Sequence, residues 1–177
     1  MELSNGEKLI LIMLSEIYEK LKIDGEVDPQ FVRKAIYEES TWALAWQYPG
    51  IVGSASESTP PVVKDVLDVL EMWELLEHSY NRLQATDREK VKAEAKPSGY
   101  DVRFRGFDGN HETEYMAAAR VLINDLDRFS LFKGRDLNSH MPSIETYQRM
   151  WAVYQPLRRN HDFDVLNAEQ IIAILNA

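Results

Sequence analysis

The chain has 177 residues, of which 45% are hydrophobic and 28% are charged, and its 29 acidic side chains against 20 basic ones give a formal net charge of −9. This length is enough for one domain with a full hydrophobic core, and the surplus of negative charge works against binding to the phosphate backbone of nucleic acids. Because the sequence contains no cysteine, it excludes disulfides, thiol nucleophiles and thiolate metal sites.

The start of the chain predicts a cytoplasmic protein. It carries Glu2 early, and its longest apolar run, residues 9–14, is short, whereas a signal peptide has a basic start and a longer apolar stretch. No stretch of the sequence approaches the ~20 apolar residues that a membrane-spanning helix needs. We therefore expect neither secretion nor membrane insertion.

Residues 5–22 predict a first helix with an unusually wide apolar surface. Leu9, Met13 and Ile17 form a stripe at helical spacing, and the apolar residues between them widen it. So wide a surface indicates burial on more than one side, either by the rest of the domain or by a partner.

A second helix is predicted over residues 29–47, with Asp28 as its N-cap and Pro49-Gly50 as its stop. Trp42 and Trp46 are four residues apart and therefore share one face of this helix. Such a pair is more often part of a core or of a helix-packing stripe. The alternative is an exposed aromatic surface that serves as an interface or binds a ligand.

The rest of the chain also predicts helices, joined by a small-residue connector at about 50–60 and a Gly/aromatic loop at about 97–111. The predicted segments are residues 60–83, a polar extension at 86–96 that opens on a capping-box sequence, 112–130, 143–156 with Pro156 as its limit, and a short closing helix with a capping box at Asn167. Only residues 100–107 alternate like a strand, and without a partner they indicate an extended loop packed on helices. The prediction is an all-α fold: a single compact domain over 1–177, with six or seven helices and essentially no sheet.

The densest group of chemically special residues lies where the Gly/aromatic loop enters the predicted central helix. A histidine beside carboxylates can act as a general base, so His111 and Glu114 are weak catalytic candidates, and no catalytic residue is firmly predicted. The candidate binding residues of this loop are Asp108, His111, Glu112 and Tyr115.

A structural role for the same residues is the favoured alternative. In that interpretation Asp108 or Asn110 caps the helix, while Glu112 and Glu114 complement the positive end of its dipole. The sequence leaves both interpretations open.

No metal site, cofactor site or phosphate-binding loop is predicted. None of the four histidines has a glutamate three residues before it, which a di-iron helical bundle requires, and Glu74 with His78 supplies only half a metal site. The glycine-rich phosphate-binding motifs are missing from the sequence. The predicted second helix carries only Arg33 and Lys34 as cations, which makes it a poor reader of a DNA groove.

Five blocks spread over nearly the whole chain carry a resemblance to a known family. They are Asn5–Leu11, Val69–Trp73, Phe104–Asp108 with Glu114-Tyr115, Tyr147–Trp151 and Ala168–Ile172. The Gly-Phe-Asp and Tyr-Gln-Arg-Met sequences within them are the most specific. Together these blocks resemble the YfbU family of bacterial proteins, and the resemblance implies an all-helical cytoplasmic protein. It implies no reaction, cofactor or catalytic residue for this chain.

The sequence favours a non-enzymatic module for protein interaction or regulation, which we expect to form a homo-oligomer and to bind through an aromatic-rich surface. The apolar first helix, the four tryptophans and the eight tyrosines motivate this prediction, since aromatic residues are enriched at interfaces. The alternative is a small-molecule sensor or enzyme with a pocket at the Asp108–Glu114 loop.

Overall fold

Eight α-helices make up most of the regular structure in the residues that the structure describes. This computed structural model describes residues 3–53, 59–160 and 165–177. The helices are α1 (Asn5–Lys20), α2 (Pro29–Tyr37), α3 (Trp42–Gln47), α4 (Pro61–Arg82), α5 (Ala85–Glu94), α6 (Thr113–Arg120), α7 (Ile144–Asn160) and α8 (Ala168–Leu175). Seven of them have seven or more residues, and none of the described residues belongs to a strand, so the predicted all-α class is confirmed. Residues 54–58 of the predicted connector lie outside the described residues.

Backbone contacts divide the chain into two units. Unit 1 comprises Met1–Pro61 and Val121–Arg128, and unit 2 comprises Val62–Arg120 and Phe129–Ala177. Unit 1 therefore takes its residues from two separate parts of the sequence. The prediction that all 177 residues form one domain stays a prediction.

In unit 1, α1 packs against α2. Helix α1 begins with a capping box, in which Ser4 Oγ accepts a hydrogen bond from the N–H of Glu7 and Glu7 Oε2 accepts one from the N–H of Ser4, at 3.3 and 2.8 Å. Both Nη atoms of Arg33 donate to the Glu19 carboxylate, at 2.6 and 3.0 Å, and join the two helices. The buried residues of this core are Val32, Ala35, Ile36, Leu44 and Tyr48.

The prediction of one continuous helix over residues 29–47 is wrong in one respect, because the structure has two helices there, α2 and α3. Glu39 takes a φ of +54°. The N–H of Ser40 donates to Ala35 C=O at 2.9 Å, and the N–H of Glu39 donates to Ile36 C=O at 3.4 Å. This is the Schellman motif that ends many helices, with a glutamate where glycine is usual. Since no glycine marks it, apolar periodicity does not reveal the interruption.

Unit 2 is built on α4, the longest helix, which buries one face as its apolar spacing predicts. The buried apolar residues of α4 are Val63, Val66, Val69, Leu70, Met72, Trp73 and Leu76. Helix α5 begins at Ala85 after an extended Gln84 whose side chain makes no capping bond. The capping box predicted at residues 86–89 is therefore wrong, because these residues already lie inside the first turn of the helix.

The predicted central helix over 112–130 is also too long. Helix α6 ends at Arg120, and the chain continues as a π-helical stretch, Val121–Asp125. Asp127 and Phe129 then both take a φ of +52°. Consecutive turns of right-handed helix cannot include such residues, so the helix stops before them.

At the other end of unit 2, α7 runs past the residue that was predicted to limit it. Pro156 lies inside α7, which continues to Asn160. Proline removes the N–H that would bond to the carbonyl of Ala152, and Ala152 is an exposed residue. The capping box predicted for the closing helix is confirmed: the side chains of Asn167 and Gln170 each accept a bond from the other's backbone N–H, at 3.0 and 2.9 Å.

Candidate functional site

The Gly/aromatic loop is extended, and it pairs with a second loop of unit 2. The N–H of Phe107 donates to Leu137 C=O, and the N–H of Ser139 donates to Phe107 C=O, both at 3.0 Å. Gly106 has a φ of +88°, and a Cβ at this position would clash with the backbone of Leu137. Only glycine combines this backbone conformation with so close an approach.

Aromatic side chains anchor the loop to the core of unit 2. Phe104 and Phe107 are buried, with ring centroids 5.6 Å apart. Phe104 also packs against Phe132 at 5.2 Å, Tyr147 at 5.8 Å and Trp73 at 6.3 Å. Rings at these separations are in contact, so the loop enters α6 from a fixed position.

Glu112 lies at the junction of the loop with α6, and its buried carboxylate caps α7. Glu112 Oε1 accepts hydrogen bonds from the N–H of Ser143 at 2.7 Å and of Ile144 at 2.8 Å. Its Oε2 accepts from the N–H of Asp108 and from Ser143 Oγ, both at 2.8 Å. One side chain therefore joins the loop, the start of α6 and the first turn of α7, and satisfies donors that a helix start leaves unpaired.

The hydrogen bonds also decide the charge state of Glu112. Burial acts to raise the pKa of its carboxyl group, but the N–H groups of Ile144, Asp108 and Ser143 together outweigh burial, and the net pKa lies below its ordinary value. The carboxylate is consequently ionised at neutral pH and holds its donors as charge-assisted hydrogen bonds.

Asp108 and His111 form a second hydrogen-bonded pair in the same loop. Asp108 Oδ1 accepts from the N–H of Asn110 at 3.0 Å, and Asp108 Oδ2 lies 2.6 Å from His111 Nδ1. These bonds, that of Asn110 first, lower the pKa of Asp108. The Asp108 side chain is buried, whereas that of His111 is 74% exposed, so solvent reaches the imidazole and not the carboxylate.

The structure brings Asp108, His111 and Glu112 together through these hydrogen bonds, and the other two candidates lie in the first turn of α6. Glu114 is exposed in the first turn of α6, while Tyr115 is half-buried with its ring 5.8 Å from that of Phe107. The carboxylates of Asp108 and Glu112 are thus engaged with the chain's own donors, which is what a structural role requires. The catalytic and binding roles of this loop stay predictions.

Trp42 and Trp46 lie in α3, within unit 1. Trp42 is buried, and its ring stands edge-on to that of Trp46 at 6.4 Å. Trp46 Nε1 donates to Thr59 Oγ1 at 2.8 Å, and the Arg128 guanidinium lies 4.7 Å from the centre of the Trp46 ring. These contacts cover most of the Trp42 ring, and the interface role predicted for Trp42 and Trp46 stays a prediction.

Unit 2 contains a buried ion pair that was not predicted from the sequence. Glu77, in α4, accepts two hydrogen bonds from Arg135, at 2.8 and 2.9 Å, and one from the N–H of Phe104 at 2.7 Å. The side chain of Glu77 is only 6% exposed. Its position within the buried face of α4 is the signal that could have revealed it, because a charge there requires a partner.

A cavity of about 580 Å³ on another face of α4 was also not predicted from the sequence. Glu74 and His78, which the sequence suggested only as half of a metal site, both line it. In the part of the chain that the structure describes, no group of three or more His, Cys, Asp or Glu side chains is arranged to hold a metal ion. Within the same residues, no helix has the length and apolar character needed to cross a membrane.

Acidification should weaken unit 2 through Glu112. Since the folded-state pKa of this group is lowered, its contribution to stability is fully present above about pH 4.5, the ordinary glutamate value, and is lost as the pH falls through the lowered pKa. We expect the free energy of unfolding, measured by urea titration at pH 7 and pH 3, to fall more in the wild type than in Glu112→Gln. An equal fall in both proteins would contradict this assignment.

Similarity to known proteins covers the whole chain. The family model described as the YfbU domain matches residues 1–177. A UPF0304 protein of Methanocaldococcus jannaschii is 33% identical over 181 aligned positions, which cover 99% of this chain and 99% of the relative. The resemblance first seen in five blocks is therefore confirmed along the full length, and the chain belongs to the YfbU family.

Proposed function

We propose that this protein is a protein-interaction module that forms a homodimer, and that the exposed apolar face of α1 is its interface. The observation that carries the proposal is that six apolar side chains of α1 and its C-cap residue are between 50% and 67% exposed. They are Leu9, Ile10, Met13, Leu14, Ile17 and Leu21. The cytoplasmic location predicted from the sequence is part of this proposal.

The other side of α1 is already used for folding, so the exposed face has no second role within unit 1. Ser15 is buried on that side, and Leu11 and Ile12 pack against the core of unit 1. Turning the exposed face inward would remove these contacts. The wide apolar surface of α1 therefore lies partly in the core of unit 1 and partly in solvent.

The size of the exposed face matches what a dimer needs. At these exposures the six side chains present on the order of 600 Å² of apolar surface, which is at the top of the range for the largest patch on a monomer and approaches the roughly 800 Å² that each partner gives to a standard interface. Ile23 and Val27, which are 48% and 36% exposed, add apolar surface after the end of α1.

The partner that best fits the exposed apolar face of α1 is a second copy of this chain. An apolar face is best covered by another apolar face, and each copy of the protein brings one at equal concentration. A twofold axis beside α1 would bury both faces at once, and twofold dimers are the commonest oligomers. A different protein with an apolar helix would bind in competition with this pairing.

Met13→Glu tests the proposal, because it places a carboxylate near the middle of the apolar face. We expect the wild type to have twice the 20.5 kDa chain mass in native mass spectrometry and in light scattering after gel filtration at micromolar concentration. The substitution should weaken the dimer a hundredfold or more, since an unpaired charge buried on each copy costs several kcal/mol.

Met141→Glu is the matched control, because Met141 is also exposed but lies outside α1, in unit 2. It should remain dimeric, and both variants should keep the far-ultraviolet circular dichroism of the wild type, since neither methionine is buried. A monomeric wild type would overturn the proposal, as would a Met13→Glu protein that dimerises as well as Met141→Glu does.

A further inference from the structure

The cavity of about 580 Å³ on α4 has the size and the mixture of groups found in small-molecule sites. Three of its lining residues, Glu74, His78 and Arg82, follow one another at four-residue spacing and therefore share one face of α4. Leu131 and Tyr154, from elsewhere in unit 2, contribute apolar wall to the same cavity. None of the residues that line this cavity belongs to the exposed face of α1.

The two ends of the cavity differ in charge. At one end, Glu71 forms an ion pair with Arg158 at 2.6 Å, which leaves the carboxylate of Glu74 as the surplus charge. Burial, followed by the neighbouring Glu71, raises the pKa of Glu74, so a cation bound there would relieve an unfavourable environment.

The other end is basic. Arg82 lies two helical turns beyond Glu74, and its Nη1 stands 3.4 Å from His78 Nε2. Eight residues of α-helix separate the acidic and the basic group by roughly 12 Å along the axis, and the long arginine side chain shortens the gap between the charges themselves. Leu75 lies between them on the wall of the cavity.

We propose that this cavity binds a zwitterion whose ammonium and carboxylate groups are separated by an apolar spacer, as in an ω-amino acid or a short apolar peptide. The ammonium group pairs with Glu74, the carboxylate pairs with Arg82 beside His78, and the spacer lies on Leu75, Leu131 and Tyr154. Each charged group of such a ligand contacts a side chain of opposite charge, and the apolar spacer contacts apolar side chains. A molecule with a single charge leaves one end of the cavity without a partner.

The test uses 6-aminohexanoic acid and trileucine as probes, with hexylamine and hexanoic acid as the matched molecules that each lack one charge. Isothermal titration calorimetry on the full chain at pH 7 should show binding of at least one zwitterion, and at least tenfold weaker binding of both singly charged probes. Absence of binding by both zwitterions at about 10 mM, a concentration that would largely fill a site with a dissociation constant of about 1 mM, would overturn the proposal. Binding of a singly charged probe as tight as that of the zwitterion would overturn it as well.

Two substitutions locate the binding at the cavity. Glu74→Gln and Arg82→Gln keep the approximate size of each side chain, and each should weaken the zwitterion at least tenfold. Glu145→Gln and Arg120→Gln make the same changes at exposed positions outside the cavity and should leave the affinity unchanged. If neither cavity variant weakened binding relative to these controls, the proposed site would be wrong.

Discussion

Glu112→Ala is expected to lower the free energy of unfolding by about 3 kcal/mol, because it removes the acceptor for three backbone N–H groups at once. Two of these, from Ser143 and Ile144, belong to the start of α7, and the third belongs to Asp108 in the loop. Loss of an ordinary N-cap costs about 1 kcal/mol. The larger expected loss reflects the burial of this carboxylate and the two segments that it joins.

Glu114→Ala is the matched control for this substitution. Glu114 has the same side chain, lies in the first turn of α6 and is exposed, so its removal should change the free energy of unfolding by less than about 0.5 kcal/mol. Urea titrations followed by circular dichroism would measure both. If the two variants proved equally stable, Glu112 would not be a stabilising cap.

Glu77→Ala is expected to cost about 3–5 kcal/mol, since it leaves Arg135 as an unpaired, largely buried charge and removes the acceptor of the Phe104 N–H. The same physics predicts that Glu77 and Arg135 are strongly coupled. In a double-mutant cycle with Arg135→Ala, the double variant should be far less destabilised than the sum of the two single variants.

An exposed ion pair in α5 provides the comparison. Glu89 accepts a bond from Lys92 at 2.7 Å, three residues along the helix, and Glu89 is largely exposed. Glu89→Ala should change the free energy of unfolding by less than about 1 kcal/mol, because solvent screens the pair. A cost for Glu77→Ala no greater than that for Glu89→Ala would show that the buried pair stabilises the fold no more than an exposed one does.

Apolar periodicity predicted the helices whose faces are regular, and it could not predict features that depend on distant residues. The stripes of α1 and α4 and the capping box of α8 are local patterns, and each is found in the structure. The end of α2 depends on a glutamate at positive φ, which has no compositional signature.

The same limit applies to the candidate site. Carboxylates near a helix start suggested that Asp108 or Asn110 caps the helix that follows, whereas the strongest cap comes from Glu112 and serves α7. The acceptor and its donors are 31 and 32 residues apart in sequence. Likewise, the cavity on α4 is completed by Leu131 and Tyr154, which no spacing rule connects to Glu74.

The discontinuity of unit 1 has a consequence for how the protein is made. Asp125 pairs with Lys34 at 2.5 Å, and Arg128 lies over the ring of Trp46 at 4.7 Å, so unit 1 needs the second of its two segments for these contacts. A ribosome delivers residues 62–120 before that segment emerges. The core of unit 1 lies within the first segment and can form early, but the contacts of Lys34 and Trp46 with the second segment must wait until residue 128 has left the exit tunnel. A chain truncated after residue 61 would contain the core of unit 1 without these contacts.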